Sequence, residues 1–362
     1  FKLWGSGEGA IYKENVITTS DNPTGGTSKF FNTEVMREEI QSLTIAEDNT
    51  VPDTPGVVSK DISQNKDGTV MLWYTPKEVT SSDGSTKTMY DMWIGGENGV
   101  LQTGTNASGM FAYLTNIEKL DLSKLDTSYI TNMSKMFYMS SGLKTIDLSN
   151  FNTSNVTNMN GMFWGCSGLT YLDLKTFNTS KVTDMNNMFA ECSNITELDL
   201  SNFDTSNVID MRLMFVRCGY SSPMFKLELG DNFNTSKVND MYQMFECCGY
   251  NSTAFKTLDL SAFTVSEYTR LDGFAESIPV TKFIFGKGWR NAALPSSQYF
   301  AKRSSNTPTE IVGATKNLLS YDWMRDNRTV TFTDNTTYTI TPVAEDGGTV
   351  SGGGTVLDGE SI

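Results

Sequence analysis

The dominant pattern along the chain is a recurring order of apolar and polar positions. Met-Phe pairs fall at 110/111, 136/137, 162/163, 188/189, 214/215 and 244/245, spaced by 26, 26, 26, 26 and 30 residues. A degenerate Gly273-Phe274 follows after 29 more. A second marker runs in phase: Leu120-Asp121-Leu122, Ile146-Asp147-Leu148, Leu172-Asp173-Leu174, Leu198-Asp199-Leu200, Leu227-Glu228-Leu229 and Leu258-Asp259-Leu260. A third is Phe-Asn-Thr-Ser, beginning at Phe151, Phe177 and Phe233, with a variant at Phe203. The unit from Leu169 to Cys192 shows what this pattern predicts. Leu172 and Leu174 stand at period two and mark a short inward-facing strand, with Leu169 just before it. Phe177 follows in a loop and plugs the interior. Asn178-Thr179-Ser180 supplies side-chain oxygens suited to a helix N-cap. Val182, Met185, Met188, Phe189 and Cys192 then recur at offsets 0, 3, 6, 7 and 10, one face of a helix. No single unit can bury its apolar faces alone, so stacked neighbours share one core. The pattern therefore predicts an α/β solenoid of about seven strand-loop-short-helix turns with a parallel sheet on one face. With strands ~4.8 Å apart it would be roughly 35 Å long.

The flanks do not follow the repeat. Residues 1–35 are rich in Gly, Thr and Ser and read as an N-terminal linker or strand. Residues 36–105 read as a β-rich cap, with strands at Ile40 to Ile45, Val70 to Tyr74 and Tyr90 to Ile94. Turn signals stand at Asp67-Gly68, Asp83-Gly84 and Gly95-Gly96. The solenoid occupies 106–289. Residues 290–328 form a second cap, irregular to helical at Leu294 to Arg303 and Thr315 to Tyr321. Residues 329–362 begin a β module or stalk, since Thr329 to Ala344 alternates like a strand pair. The chain starts at Phe1 and stops after Gly359-Glu360-Ser361-Ile362, and reads as a piece of something longer.

Two columns of unusual residues run through the repeat. Eleven of the 18 Met lie in the predicted helix face, which suits gap-filling core packing better than a sticky Met surface. Cys166, Cys192, Cys218 and Cys248 each stand three residues after the repeat Phe, with Ser140 in an earlier unit. Side chains stacked in register point the same way, which is poor geometry for a disulfide, so buried thiols are expected. Cys247 is off the column; it is either exposed or paired with Cys248 or Cys218.

Composition removes several function classes. There is no His among the 362 residues, which excludes Ser–His and Cys–His nucleophile pairs and His-ligated zinc. With 28 basic against 42 acidic side chains the net charge is −14, the wrong sign for nucleic acid. No apolar run approaches the ~20 residues of a membrane span. No Cys-x-x-Cys spacing supports a metal cluster. No cofactor is implied.

The repeat Leu-x-x-Leu-Asp-Leu-Ser-x-Phe-Asn-Thr-Ser-x-Val-x-x-Met-x-x-Met-Phe-x-x-Cys-Ser, seen from Leu143 to Ser167 and from Leu169 to Ser193, resembles that of the BspA-like leucine-rich-repeat surface proteins. The resemblance covers about residues 106 to 289. It implies a leucine-rich-repeat-like fold and a secreted or wall-attached bacterial setting. It further implies adhesion to a protein or glycan on a host cell, a matrix or another bacterium. It carries no catalytic or ligand residues across. A weaker resemblance links Asp346 to Thr355 with the glycine-rich hairpin of internalin-type B repeats, which act as stalks.

Two surfaces are candidates for partner binding. The first is the outward face of the strands, with the carboxylates Asp121, Asp147, Asp173, Asp199, Glu228 and Asp259 beside Lys119, Tyr171 and Glu197. Stacked carboxylates repel, and each is expected to raise its neighbour's pKa. This column reads either as a groove for cations or a basic partner, or as turn-shaping hydrogen-bond acceptors. The second is a pair of insertions after Cys218 and Cys248, carrying Tyr220 and Tyr250. Insertions repeated on one edge map to one face, and Tyr is favoured at interfaces. The Tyr pair reads equally as a contact surface or as covered packing. The functional expectation is a non-enzymatic recognition or adhesion protein on a bacterial surface. The same platform on a phage virion, or a purely structural spacer, stands as the alternative.

Overall fold

The computed structural model describes residues 16–17, 23–99, 101–266, 268–280, 282–285, 287–289, 309–312, 328–331 and 337–338. Among them there is no α-helix; the helical elements are four three-residue 3-10 turns, at Phe30–Asn32, Arg37–Glu39, Glu97–Gly99 and Lys287–Trp289. The α/β solenoid of strand-loop-helix turns is therefore wrong. The protein is β-rich, with short strands in mixed sheets joined by long runs of turns.

The cause lies in where the backbone of the presumed helix sends its hydrogen bonds. In one unit the N–H groups of Met162, Trp164 and Cys166 donate three residues back, to Met159, Gly161 and Phe163. The intervening N–H groups do not. Met159, Gly161, Phe163 and Gly165 donate instead to Asp184, Asn186, Met188 and Ala190 of the next unit, at 2.8–3.0 Å. The same four bonds join every consecutive pair of units from Ala107 to Glu276. An α-helix sends every N–H four residues back along itself; here half of them leave the segment. The geometry requires a left-handed residue two before and two after each repeat Phe. Asn187 and Glu191 have φ of 58°, and Leu213 and Arg217 have φ of 56° and 54°. Such values are uncommon outside glycine and are incompatible with a helix.

The expected core nevertheless forms. Val182, Met185, Met188, Phe189 and Cys192 are all fully buried, as are their counterparts in neighbouring units. A chain of three-residue-spaced turns buries every third or fourth side chain, as a helix does, so the apolar spacing is common to both. The repeat Phe rings from Phe111 to Phe245 stack face to face through the interior, with centroids 5.1–5.9 Å apart. Such stacking adds ~0.5–1.5 kcal/mol per pair beyond area burial. The Thr of Phe-Asn-Thr-Ser does not cap a helix. Thr153 Oγ1 donates to the Asn178 carbonyl at 3.0 Å and accepts from the Asn178 N–H at 2.8 Å, one more repeat-to-repeat link.

The expected parallel sheet is also incomplete. Only Lys119–Asp121, Glu197–Asp199, Lys226–Glu228 and Thr257–Leu260 of the Leu-Asp-Leu segments are strands, and they belong to three different sheets. The segments at 146–148 and 172–174 are not strands; Tyr171 makes a single bridge to Glu197. The continuous bridge ladder runs elsewhere, through Asn106, Asn132, Asn158, Asp184, Asp210, Asp240 and Arg270. It also corrects the last unit: Phe245 donates to the Phe274 carbonyl where Phe215 donates to that of Met244. Phe274 thus takes the second Met position and Ala275 that of the repeat Phe.

The N-terminal region is joined to the first unit by one mixed sheet. Its order is Val58–Asp61, Val70–Thr80, Thr86–Gly96, Ile40–Ile45 and Lys119–Asp121. The long hairpin turns at Asp83-Gly84, with Gly84 at φ 83°. Gly95 lies inside a strand rather than a turn, and glycine is needed there because a Cβ would collide with the Asp48 carbonyl. Arg37 closes the open end. It is fully buried and its guanidinium Nη1 donates to the carbonyls of Met110 and Ala112 at 3.0 and 2.9 Å. In every later unit the equivalent carbonyls accept from the unit before. At the other end Trp289, also buried, stacks on Phe263 at 6.2 Å and donates to the Leu260 carbonyl. The sheet starting at Thr257–Leu260 continues through Lys282–Phe285, Thr309–Val312 and Arg328–Thr331, all parallel, and ends with Thr337–Tyr338 antiparallel. The helices expected at 294–303 and 315–321, the hairpin expected at 346–355 and most of the expected 1–35 linker lie outside the described residues.

All five thiols are free, and the four of the column are buried. Cys166 and Cys192 donate to the carbonyls of Phe137 and Phe163 at 3.0 and 3.1 Å. Burial pushes the Cys192 thiol up to about 12 and the other three column thiols well above their ordinary value. Cys247 occupies a left-handed position (φ 55°) and is half-buried, which accounts for its being off the column. Thiol titration of the native protein is therefore expected to label at most one cysteine, Cys247, and five after unfolding. Labelling of two or more in the native state would refute the buried column.

Candidate functional site

The carboxylate column is resolved by local hydrogen bonds. Asp121, Asp147, Asp173, Asp199 and Asp259 each accept, through Oδ1, the backbone N–H two residues on, at 2.9–3.2 Å. This is the turn-shaping arrangement that Asp adopts readily. The expected upward pKa shift is reversed at three of them. Hydrogen bonds from Ser123, Ser149 and Ser201 hold Asp121, Asp147 and Asp199 below the ordinary carboxylate range, and the repulsion of Asp147 at Asp121 is the smallest contribution there. Lys119, Tyr171, Glu197 and Glu228 are exposed. Tyr171 pairs with Glu197, and Asp199 with Glu228. Glu228 and Asp259 line a cleft of about 290 Å³ with Asp231 and Phe263, and the strands Lys226–Glu228 and Thr257–Leu260 beside it belong to different sheets. Among the described residues no group of three or more Cys, Asp or Glu is arranged to hold a metal ion.

The insertions behave differently. Tyr220 and Tyr250 stack with centroids 5.1 Å apart and an interplanar angle of 10°. Tyr250 is 41% exposed and Tyr220 half-buried. The two loops are held in register by the repeat-to-repeat bonds Gly219 to Cys192, Gly249 to Cys218 and Asn251 to Tyr220, at 2.7–3.2 Å. Gly219 and Gly249 have φ of 61° and 58°. Each backbone passes so close to the Phe225 ring that a Cβ would strike it. Ser252 Oγ ties the second loop to its own turn through the N–H groups of Ala254 and Phe255. The Arg217 guanidinium lies 5.8 Å from the Tyr220 ring centroid. The two rings are thus a fixed, partly open aromatic step on a rigid support, with a cation beside it.

Two features were not singled out from sequence. The first is a further aromatic run on the turn edge: Tyr113, Tyr138 and Trp164 pack edge to face at 5.2 and 5.1 Å. They stand one or two residues after the repeat Phe, and aligning the units on that Phe would have shown them. The second is the polar column of the bridge ladder, Asn in three units and then Asp184, Asp210 and Asp240. Each accepts the N–H two residues on, as Asp184 does from Asn186 at 2.9 Å. Arg212 pairs with Asp210 and Arg270 with Asp272, both at 2.8 Å.

Residues 105–223 and 199–279 match a family model described as Mycoplasma protein of unknown function, DUF285. No curated protein and no solved structure matches the chain. Among the described residues no helix is long and apolar enough to cross a membrane.

Burial, with Asp210 adding repulsion, pushes the Asp184 carboxyl up. A folded-state pKa above the unfolded one means that the charged form costs stability at neutral pH, and that this cost vanishes as the pH falls through the folded pKa. Asp184→Asn keeps the acceptor used at Asn106, Asn132 and Asn158. The variant is expected to melt higher than the parent at pH 7, with the gain gone below about pH 4. A variant less stable at pH 7, or a gain independent of pH, would refute this reading.

Proposed function

We propose that the protein is a non-enzymatic recognition protein of a bacterial surface that binds a macromolecule on a host cell, a matrix or another bacterium. The observation that carries the reading is the stacked Tyr220–Tyr250 pair, raised on two register-locked insertions with Tyr250 open to solvent. A loop that is only a connection has no need of glycines wedged against Phe225 to hold two rings in line. Tyr supplies large contact area for little conformational entropy, with a polar tip for hydrogen bonding. The resemblance of the repeats to those of BspA-like surface proteins, and the match to the Mycoplasma family model, support the bacterial setting. The carboxylate face contributes less in this reading, because its Asp side chains are committed to their own turns. The absence of His suits a surface that performs no proton transfer at neutral pH.

The test is binding of fluorescently labelled protein to whole bacterial and cultured mammalian cells. The double variant Tyr220→Ala/Tyr250→Ala is expected to keep its melting temperature within a few degrees and to lose cell binding by about tenfold or more. Unchanged binding would point to a structural spacer and overturn the proposal.

A further inference from the structure

The cleft beside Lys226–Glu228 and Thr257–Leu260 marks a place where two neighbouring units stop pairing. Lys226–Glu228 pairs in register with Glu197–Asp199 on one side, and Thr257–Leu260 with Lys282–Phe285 on the other. Among the described residues no backbone hydrogen bond joins the two strands to each other. The Lys226 N–H donates to the Thr196 carbonyl, and the Glu228 carbonyl accepts from the Leu200 N–H. Peptide groups alternate sides along a strand, so those of Leu227 face the opening. The units remain tied on either side of it. Ser252 Oγ donates to the Phe225 carbonyl at 3.1 Å before the strands, and Thr235 Oγ1 to the Thr264 carbonyl at 2.8 Å after them. The result is a slot of about 290 Å³ held open between fastened ends. Its lining combines buried Leu258 and Phe263 and half-buried Leu227 with the exposed carboxylates Glu228, Asp231 and Asp259. Asp259 spends Oδ1 on its own turn, as Asp199 does, but Glu228 makes no such bond. Among the described residues no ion pair uses any of the three carboxylates. No Lys or Arg lines the slot.

We propose that this slot receives an arginine side chain from a basic segment of a partner protein. The inference rests on the recognition reading above and names the chemistry of the partner. Size sets the first limit. A volume of about 290 Å³ stands at the lower edge of the ~300–1,000 Å³ of small-molecule pockets, so it suits one long side chain. Charge sets the second: three carboxylates face an opening with no cation of its own. A bare metal ion does not fit, since among the described residues no group of three or more Cys, Asp or Glu is arranged to hold one. A guanidinium does, because its planar fork of five donors can engage a carboxylate side-on and a strand carbonyl at once. An ammonium is a strongly hydrated point charge without that fork. The methylene stem of the arginine packs on Leu227, Leu258 and Phe263. An extended peptide entering as a strand would have to break the ties at Ser252 and Thr235, which a single side chain need not do. The net charge of −14 attracts a basic partner. Tyr220 and Tyr250 precede Lys226 and Thr257 by six and seven residues. The slot therefore lies within ~25 Å of the Tyr pair, and one partner can reach both.

The test is NMR titration of the full deuterated chain with N-acetyl-arginine amide and with its lysine and citrulline counterparts. Citrulline keeps the shape of arginine and loses the charge. The arginine compound is expected to shift the amide signals of Leu227, Leu229 and Leu258 with a Kd on the order of millimolar. The citrulline compound is expected to bind about tenfold or more weakly, and the lysine compound more weakly than arginine. The double variant Glu228→Gln/Asp231→Asn changes only exposed side chains. It is expected to keep its melting temperature within a few degrees and to bind the arginine compound about tenfold or more weakly. The proposal is overturned if no signal moves at about 50 mM, or if the shifts spread evenly over the acidic surface. It is also overturned if lysine or citrulline binds as tightly, or if the double variant binds arginine as the parent does. Loss of cell binding in the Tyr220/Tyr250 variant without an arginine response would sink this inference and leave the recognition reading standing. An arginine response at the slot with unchanged cell binding in that variant would sink the recognition reading and leave the arginine site standing.

Discussion

The structure depends on one constraint: half of the backbone N–H groups in each turn segment must find their acceptors in the next repeat. Four such bonds cross every junction, from Met133, Lys135, Phe137 and Met139 in one unit to Asn158, Asn160, Met162 and Trp164 in the next. Buried backbone groups left unpaired are costly, so each unit requires a neighbour with the same backbone course. That requirement sets the left-handed residues two before and two after the repeat Phe, and it fixes the spacing of the Phe stack. It also explains the ends. Among the described residues no unit precedes the first, and buried Arg37 occupies its carbonyls of Met110 and Ala112. An Arg in a core is expensive unless its donors are used; here the geometry of a missing repeat supplies the acceptors.

The same ladder sorts side chains into roles. Positions whose N–H turns back three residues carry Met162, Trp164 and Cys166, and positions whose N–H crosses carry Phe163 and Gly165. Trp164 lies at the surface and its neighbours in sequence are buried. The position one residue after the Phe carries Tyr138, Trp164 and Val216, all half-buried, and the fully buried Ala190, so side chains of very different size are accommodated there. The insertions at 219–222 and 249–252 add a second set of free positions without disturbing the ladder, because their own backbone bonds stay in register. The positions free to vary are thus ones that the ladder does not need, over a core that it does.

Much of this was legible from the residues. The period, the buried Val, Met, Phe and Cys positions and the proximity of Tyr220 to Tyr250 all follow from spacing alone. The strands expected at Ile40 to Ile45, Val70 to Tyr74 and Tyr90 to Ile94 are present, the last two as parts of the longer strands Val70–Thr80 and Thr86–Gly96. The helix did not form because apolar offsets of 0, 3, 6, 7 and 10 specify which side chains are inside and not which carbonyl each N–H meets. The signal that separates the two was present: Gly161 and Gly165 stand at both left-handed positions of one unit, four apart, where a helix would disfavour them. The carboxylate column misled because repetition brings like charges close while each Asp also captures its own turn N–H, and at Asp121, Asp147 and Asp199 the second effect is the larger. Arg37 was invisible as a cap, since its partners lie more than 70 residues away.

The central claim is that the Met-x-x-Met-Phe segments bond across units and not within a helix. Scalar couplings transmitted through hydrogen bonds, measured by NMR on the deuterated protein, test it directly. The account predicts couplings from the amide nitrogens of Phe163 and Phe189 to the carbonyl carbons of Met188 and Met214, one unit ahead. Couplings from the same amides to the carbonyls of Met159 and Met185, four residues back, would show a helix and contradict it.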